Sequence, residues 1–188
     1  MESTPASLLE KLRQPAPGPA WDRFVFLYTP LLSLWAVRLG VTGPDADDLL
    51  QDVYATLVQE LPKFHYDPDK RFRAWLWTIL VNKVRERRRR RTLPTRSLDG
   101  DEFPELAIED TADEAAEREY RDILVRRALE LIRTESPPAS WAAFWECITT
   151  DHPAAAIAAR AGLSAGAVYQ IKSRILRQLR QELRGLLD

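Results

Sequence analysis

The stretch KFHYDPDKRFRAWLWTILVNKVRERRRRR, residues 63–91, decides the fold of this chain. It opens with a polar loop, and apolar residues then recur at three- and four-residue spacing, which predicts an amphipathic helix from about Arg71. The predicted buried face consists of Phe72, Trp75, Leu76, Ile79 and Leu80. The opposite face is predicted to carry Arg73, Trp77, Asn82 and Lys83, followed by Arg85 and an unbroken arginine run over residues 87–91.

The same part of the chain is densely positive. Residues 63–96 contain twelve lysines and arginines and three acidic residues, a net charge of +9. Such a field beside aromatic side chains suits a polyanion whose bases can stack on them. A solvated surface helix is the simpler alternative. The five consecutive arginines, whose mutual repulsion nothing nearby relieves, favour contact with nucleic acid instead.

The composition of the chain limits the functions that it can have. The 188 residues suffice for one large or two small domains, and the net charge of −1 hides blocks of −9 over residues 97–122 and +4 over residues 153–188. Because there is one cysteine, Cys147, and two histidines far apart, we expect no disulfide within the chain and no metal cluster. No secretory signal and no membrane-spanning run is apparent. We therefore expect a soluble, cytoplasmic protein without membrane insertion.

The pattern predicts an all-α fold, because apolar residues recur at helical spacing and no segment alternates as a strand would. We expect two small helical domains, an N-terminal helical bundle and a C-terminal helix-turn-helix domain, joined by an acidic flexible linker. Their predicted ranges are an extension at 1–20, the bundle at 21–93, the linker at 94–112 and the second domain at 113–188. In the second domain one short helix is expected to bury Trp141, Phe144, Trp145 and Ile148.

A second polar surface is predicted on the helix that follows Pro44. Asp48, Gln51 and Asp52 lie three and four residues apart, on the side opposite the apolar stripe of that helix. The helix dipole favours acidic residues in a first turn, but Asp52 lies beyond it. Two interpretations stay open, a solvated face and a surface for a partner protein.

The end of the chain has the spacing of a helix-turn-helix. A short helix ends near Ala161, Gly162 allows a tight turn, and Ser164 can cap a final helix. The outward face of the final helix is predicted to carry Tyr169, Gln170, Lys172, Ser173, Arg174 and Arg177. Side chains of these types can reach base edges and phosphates in a major groove. An ordinary helical hairpin with a polar surface is the alternative.

Three segments together resemble the extracytoplasmic-function class of bacterial sigma factors, within the sigma-70 family. They are DADDLLQDVYATL (45–57), RFRAWLWTILVNKVRERRRRR (71–91) and AAIAARAGLSAGAVYQIKSRILRQLR (155–180). With the aromatic helix at residues 21–38, the resemblance covers most of the chain outside the linker and the first twenty residues. The combination of segments is specific, whereas the helix-turn-helix alone would not be.

The resemblance implies a non-enzymatic function in transcription initiation, with core RNA polymerase, promoter DNA and an anti-sigma factor as partners. Asp48, Gln51 and Asp52 match the surface for the clamp helices of the largest polymerase subunit, and the polymerase flap is a further expected contact. The bundle matches the part that captures and melts the −10 element, through His65, Tyr66, Arg73, Trp77, Asn82, Lys83 and Arg85. The final helix matches the reader of the −35 element, through Ser164, Tyr169, Gln170, Lys172, Ser173, Arg174 and Arg177.

Two other functions are considered. A helix-turn-helix regulator could bind operator DNA without polymerase, although it would not need a second basic module with aromatic residues. A nuclease could hold Mg²⁺ through Asp45, Asp48 and Asp52, but no second element with converging oxygen ligands is apparent. Neither enzymatic activity nor a cofactor is therefore expected. The acidic linker suits either a basic channel of polymerase or a solubilising spacer.

Overall fold

The computed structural model describes residues 8–14, 18–64, 72–92 and 114–187, with only the backbone at residues 91 and 92. Over these ranges the chain forms eight α-helices and one 3₁₀ turn, and no strand. The elements are α1 (Leu8–Leu12), α2 (Pro19–Arg38), α3 (Pro44–Glu60), the 3₁₀ turn (Leu61–Lys63), α4 (Phe72–Thr92), α5 (Glu114–Glu135), α6 (Pro138–Thr149), α7 (Ala154–Ala161) and α8 (Ala165–Leu183). The all-α prediction is confirmed.

Helices α2, α3 and α4 form an aromatic bundle. Both α2 and α3 begin with a proline, Pro19 and Pro44, which fits the first turn because an N–H there would have no helical partner. The ring of Phe72 from α4 meets the rings of Phe24 and Tyr28 from α2 edge to face, at centroid distances of 6.1 and 5.7 Å. The bundle thereby fixes the start of the basic helix α4 against α2.

Helix α1, the first described element, packs against the last helix, α8, as well as against the bundle. Leu8, Leu9 and Leu12 are buried, and α1 contacts α2, the 3₁₀ turn and α8. A Cβ atom added to Gly185, beyond α8, would stand 3.6 Å from Leu9 Cδ1. The N-terminal extension, for which the sequence suggests no role, therefore adds apolar contacts to the folded core.

Helices α5 to α8 form the second group, and α7 and α8 make the predicted helix-turn-helix. Helix α7 ends at Gly162, whose φ of 66° lies in the left-handed region that glycine adopts without strain. Ser164 caps α8, because its Oγ accepts a hydrogen bond from the backbone N–H of Ala167 at 3.1 Å. Both predictions for this turn are confirmed.

Helix α6 contributes to the core of this group in a different way from the prediction. Trp145 and Ile148 are 46% and 42% exposed, so the expectation that they are buried is wrong. Phe144 is buried as predicted, and Ala143, which the prediction omits, is buried beside it. The reason is that α7 and α8 cover α6 from one side, and the apolar spacing of α6 is broad enough to fit more than one buried face.

Helix α5 joins the two groups, because it contributes residues both to the core of the bundle and to a core of the second group. Its residues Tyr120, Leu124 and Ala128 belong to the same buried cluster as the cores of α2, α3 and α4, together with Leu183 and Leu186. The domain ranges stay a prediction, and the linker at 94–112 lies outside the described residues. Packing of one group on the other was not predicted, because the periodicity of a helix does not identify its neighbour.

Candidate nucleic-acid interface

Helix α8 presents a polar face to solvent. Val168, Ile171 and Ile175 are buried at three- and four-residue spacing, so the residues between them point outward. The outward surface is a shallow concavity of about 520 Å³ lined by Ala167, Tyr169, Gln170, Ile171, Ser173, Arg174 and Arg177. Five of the residues predicted for the −35 element therefore share one open surface: Tyr169, Gln170, Ser173, Arg174 and Arg177.

The other two residues predicted for that element lie beside this surface. Lys172 is half-buried at its edge. Ser164 is exposed, but its hydroxyl oxygen is engaged as the cap of α8. In this structure Ser164 therefore orients α8, and its predicted contact with DNA would have to use the remaining hydrogen-bonding capacity of the hydroxyl.

Ion pairs hold α7 against α6, and both of these helices pack against α8. Glu146 of α6 accepts from Arg160 of α7, and Nδ1 of His152 lies 2.9 Å from Glu146 Oε1. Loss of hydration would raise the pKa of Glu146, but the hydrogen bonds from Arg160 and His152 outweigh it and keep that pKa below its ordinary value. The charge of Glu146 thus helps to fix the helix that supports α8.

The basic helix α4 keeps part of its predicted outward face. Asn82 and Arg85 are exposed, whereas Lys83 is half-buried and donates to Glu86 at 3.1 Å. The hydrogen bond from Lys83, followed by the charges of Lys83 and Arg90, lowers the pKa of Glu86. Asn82 and Arg85 are consequently the residues of this set that a nucleic acid can reach without displacing an ion pair described here.

Arg73 is predicted on the outward face of α4, and that prediction of its face is wrong. It is 7% exposed, and its Nη1 donates to Glu117 Oε2 of α5 at 3.0 Å. Its guanidinium also lies 5.5 Å from the centre of the Tyr120 ring. Helix α5 therefore covers Arg73, while its predicted contact with the −10 element stays untested.

Trp77 is likewise buried, so the prediction that it faces outward is wrong. It is 8% exposed and meets Trp35 of α2 edge to face at 5.2 Å. Val81 and Val84, which the predicted apolar face omits, are buried on the same side. The buried stripe of α4 is wider than expected because both α2 and α5 reach it.

The first part of the arginine run donates hydrogen bonds to residues that are distant in sequence. Arg87 Nε and Nη2 lie 2.8 and 2.7 Å from Asp52 Oδ2 of α3, and Nη1 donates to the carbonyl of Asp45. Arg88 donates to the carbonyl of Leu39 at 2.7 Å. The interpretation that nothing relieves the repulsion of the run is therefore wrong for these two arginines.

One part of the polar face of α3 is exposed to solvent, and another part is paired with α4. Asp48 and Gln51 are exposed, whereas Asp52 is half-buried and shares its carboxylate with Arg87. Asp48 and Gln51 therefore form the accessible centre of the surface predicted for polymerase. His65 and Tyr66, which are predicted to contact the −10 element, lie outside the described residues.

Sequence reasoning missed the residues of α5 that meet the N-terminal bundle. Tyr120 meets Tyr28 of α2 and Arg73 of α4, and the helical period of α5 does not identify either of them as its neighbour. Glu117 and Arg127 carry no signal that distinguishes them from other charged residues of α5. The pairs are 44 to 101 residues apart in sequence, so no local spacing can reveal them.

The described helices offer no geometry for two other kinds of function. None of them is both long and apolar enough to cross a membrane. No three His, Cys, Asp or Glu side chains within the same ranges are grouped as a metal site would require. Asp45, Asp48 and Asp52 lie along one helix, α3, and Arg87 of α4 contacts the carboxylate of Asp52 and the carbonyl of Asp45.

Comparison with known proteins identifies the family. The family model for sigma-70 region 2 matches residues 25–93, which run from within α2 to the end of α4. The RNA polymerase sigma factor CnrH of Cupriavidus metallidurans is 36% identical over 67 residues, 36% of this chain and 34% of that protein. The sigma factor NccH of Alcaligenes xylosoxydans is 37% identical over 70 residues, 37% of each chain. The matches with these two relatives span about one third of their length.

A longer similarity reaches the second group of helices. The RNA polymerase sigma-E factor of Streptomyces avermitilis is 30% identical over 149 residues, which are 79% of this chain and 76% of that protein. An alignment of this length necessarily includes residues 40–149, and therefore the whole of α3 to α6. The described structure supplies the matching architecture, a helical bundle followed by a helix-turn-helix. The chain therefore belongs to the sigma-70 family of RNA polymerase sigma factors, in its extracytoplasmic-function class.

Proposed function

We propose that this protein binds core RNA polymerase and directs it to specific promoters as a non-catalytic initiation factor. The observation that supports this most is the co-occurrence, in one chain, of the sigma-70 region 2 match and an exposed helix-turn-helix reading face. The bundle would contact and melt the −10 element, and α8 would read the −35 element as duplex. An operator-binding regulator is the competing account, and it requires no polymerase.

Recognition of the upstream element follows from the chemistry of α8. Arg174 and Arg177 can each donate two hydrogen bonds to the edge of a guanine, and Gln170 can form two hydrogen bonds with the edge of an adenine. Ser173 and the half-buried Lys172 are suited to phosphates, which fix the register of the helix in the groove. The concavity between these side chains leaves space for the base edges they would read.

Melting of the downstream element needs no hydrolysis. The energy of binding an unstacked strand offsets the few kcal/mol that are lost when a base leaves the stack. Asn82 and Arg85 are exposed on α4 for this contact, and Lys83 lies beside them. Arg73 would join them only after Glu117 of α5 moves away.

Association with polymerase is proposed for the polar face of α3. Asp48 and Gln51 are exposed there, and their position supports docking to a basic or polar helical surface such as the clamp helices of the largest subunit. Asp52 would contribute at the edge of this face, because its carboxylate is already paired with Arg87. The flap of polymerase is the proposed contact of the helix-turn-helix group.

The proposal is tested by measuring the affinity for bacterial core RNA polymerase, with labelled protein and fluorescence anisotropy. We expect tight binding of the wild type, and a loss of at least about tenfold for Asp48→Arg, equivalent to about 1.4 kcal/mol. Asp122→Arg makes the same substitution at an exposed position of α5 and serves as the matched control. Equal affinities for both variants would remove the α3 face from the interface. If polymerase is not bound but duplex DNA is, the operator-binding account replaces this one.

A further inference from the structure

The contact between α5 and the N-terminal bundle contains a buried pair of tyrosines. Tyr28 and Tyr120 are at most 2% exposed, and their hydroxyl oxygens lie 3.0 Å apart. Tyr120 donates its proton to the carbonyl of Leu186 at 2.6 Å, so Tyr28 must be the donor to Tyr120. Three separate parts of the chain, α2, α5 and the segment after α8, are thereby joined at one point.

A proline in α2 provides a second attachment for α5. Pro30 has no backbone N–H, so the carbonyl of Phe26, four residues earlier, lacks its helical donor. Arg127 of α5 supplies the missing bond, because its Nε donates to Phe26 O at 3.1 Å. The guanidinium also lies 3.6 Å from the centre of the Phe26 ring. This attachment depends on both the proline and the arginine, and not on apolar burial alone.

The third attachment covers a residue predicted to contact DNA. Glu117 of α5 accepts from Arg73, whose side chain is only 8% exposed. A nucleic-acid strand that approaches α4 cannot reach this guanidinium while Glu117 and Tyr120 occupy it. Arg38 and Glu119 add an ion pair at the edge of the same contact, at 2.7 Å. Closure of α5 therefore competes with the −10 element for Arg73.

The closed arrangement is also too short to engage two promoter elements together. A compact chain of 188 residues has a radius of gyration of about 16 Å and a width of about 40 Å. Elements at −10 and −35 are about 25 base pairs apart, which is about 85 Å of duplex at 3.4 Å per base pair. The two groups of helices must therefore separate before both elements can be bound at once.

We propose that the free protein is held in a closed, self-inhibited form by a latch on α5, formed by Glu117, Tyr120 and Arg127. This inference rests on the function proposed above. Release of the latch exposes Arg73 and lets the two groups of helices move apart. The α3 face proposed for polymerase is accessible in the closed form, so polymerase can dock before the latch opens.

Two latch variants with opposite changes of charge test the inference in the full-length free protein. Glu117→Arg places a second cation against Arg73, and Arg127→Glu places an anion beside the Phe26 carbonyl. Small-angle X-ray scattering should give about 16 Å for the wild type, and about 20 Å or more for both variants once two units of about 12 Å separate. Asp122→Arg and Arg126→Glu, at exposed positions of α5, are the charge-matched controls and should keep the wild-type value.

The inhibition is tested by measuring binding to a labelled single strand of about 15 nucleotides. This length is near the upper limit of what one single-strand-binding domain covers. If the wild type is less than a tenth open, both latch variants should bind at least about tenfold more tightly, because apparent affinity scales with the open fraction. Charge alone would move the two variants in opposite directions. Circular dichroism checks that each variant is folded, and either folded variant suffices.

Three results would overturn the latch. They are a wild type that is already extended, variants that remain as compact as their controls, or expansion without tighter binding to the single strand. Failure of the proposed function has a different signature. In that case the variants expand as expected, but neither they nor the wild type support transcription by core RNA polymerase.

Discussion

Asp52 belongs both to the polar face of α3 and to the packing of α4. Because its carboxylate accepts from Arg87 at 2.7 and 2.8 Å, its removal affects the fold before it affects any partner. We expect Asp52→Asn to lower the free energy of unfolding by about 1 kcal/mol, as for a partly exposed ion pair. The exposed Asp48→Asn should change it by less than about 0.5 kcal/mol. Urea unfolding measures both, and equal stabilities would mean that the Arg87 pair contributes nothing.

Arg174 lies in the middle of the open surface of α8, where a base edge can be read. We expect Arg174→Ala to weaken binding to the duplex upstream element by about 1 to 3 kcal/mol, and a scrambled duplex to lose less. Anisotropy titrations with both duplexes separate these effects. Arg180→Ala, at an exposed position of α8 outside the concavity, is the control and should affect both duplexes alike. Equal losses for Arg174→Ala would instead identify a phosphate contact.

At the scale of the element, two glycines of the helix-turn-helix should respond differently to substitution by alanine, because one lies in the turn and the other lies within α8. Gly162 has a φ of 66°, so Gly162→Ala should lower the free energy of unfolding by about 1 to 2 kcal/mol even though space for a Cβ is available. Gly166 lies within α8, and an added Cβ would have only an ordinary contact at 3.9 Å with Ser164 Oγ. Gly166→Ala should therefore leave stability unchanged or raise it by up to about 1 kcal/mol. Thermal unfolding of both variants checks this, and a reversed order would contradict the assigned turn.

How well the sequence predicts the buried face of a helix depends on how many other helices pack against it. The turn at Gly162 and the cap at Ser164 follow from local chemistry, so both were predictable. On α4 the period gives Phe72 and Leu76 correctly but leaves Arg73 and Trp77 on the wrong side. The error arises because α5 covers α4 in addition to α2 and α3, and a hydrophobic pattern reveals neither the additional neighbour nor an arginine buried by an ion pair.

At the scale of the whole molecule, the tyrosine pair makes stability depend on alkaline pH. Burial raises the pKa of Tyr28 well above its ordinary value of 10.0, and burial raises the pKa of Tyr120 as well. Because the folded pKa exceeds the unfolded one, the stability from the neutral pair is fully present below pH 10 and is lost as the pH rises beyond it. Unfolding free energy should therefore fall above about pH 10.

Tyrosinate absorbance and helical circular dichroism, recorded together, measure this dependence. Tyr28 and Tyr120 should ionise only as helicity is lost, and Tyr28→Phe should remove one of the delayed ionisations. Ionisation of every tyrosine before any loss of helicity would contradict the buried pair.

The relation between the two groups of helices could not be predicted from the sequence. The candidate contact surfaces on α3 and α8 were identified from spacing, because each lies on one helix. Glu117 covers Arg73, which is 44 positions away in the sequence. Arg127 binds the carbonyl of Phe26, which is 101 positions away. Such contacts depend on how whole helices pack, which is information that no single segment contains.

Run-off transcription with bacterial core RNA polymerase and fragments of the protein's own source genome tests whether this protein gives the polymerase its promoter specificity. We expect discrete transcripts that require the wild-type protein and weaken with Asp48→Arg, and their start sites would supply the −10 and −35 sequences. Transcripts that are identical with and without the protein, on every fragment, would contradict it.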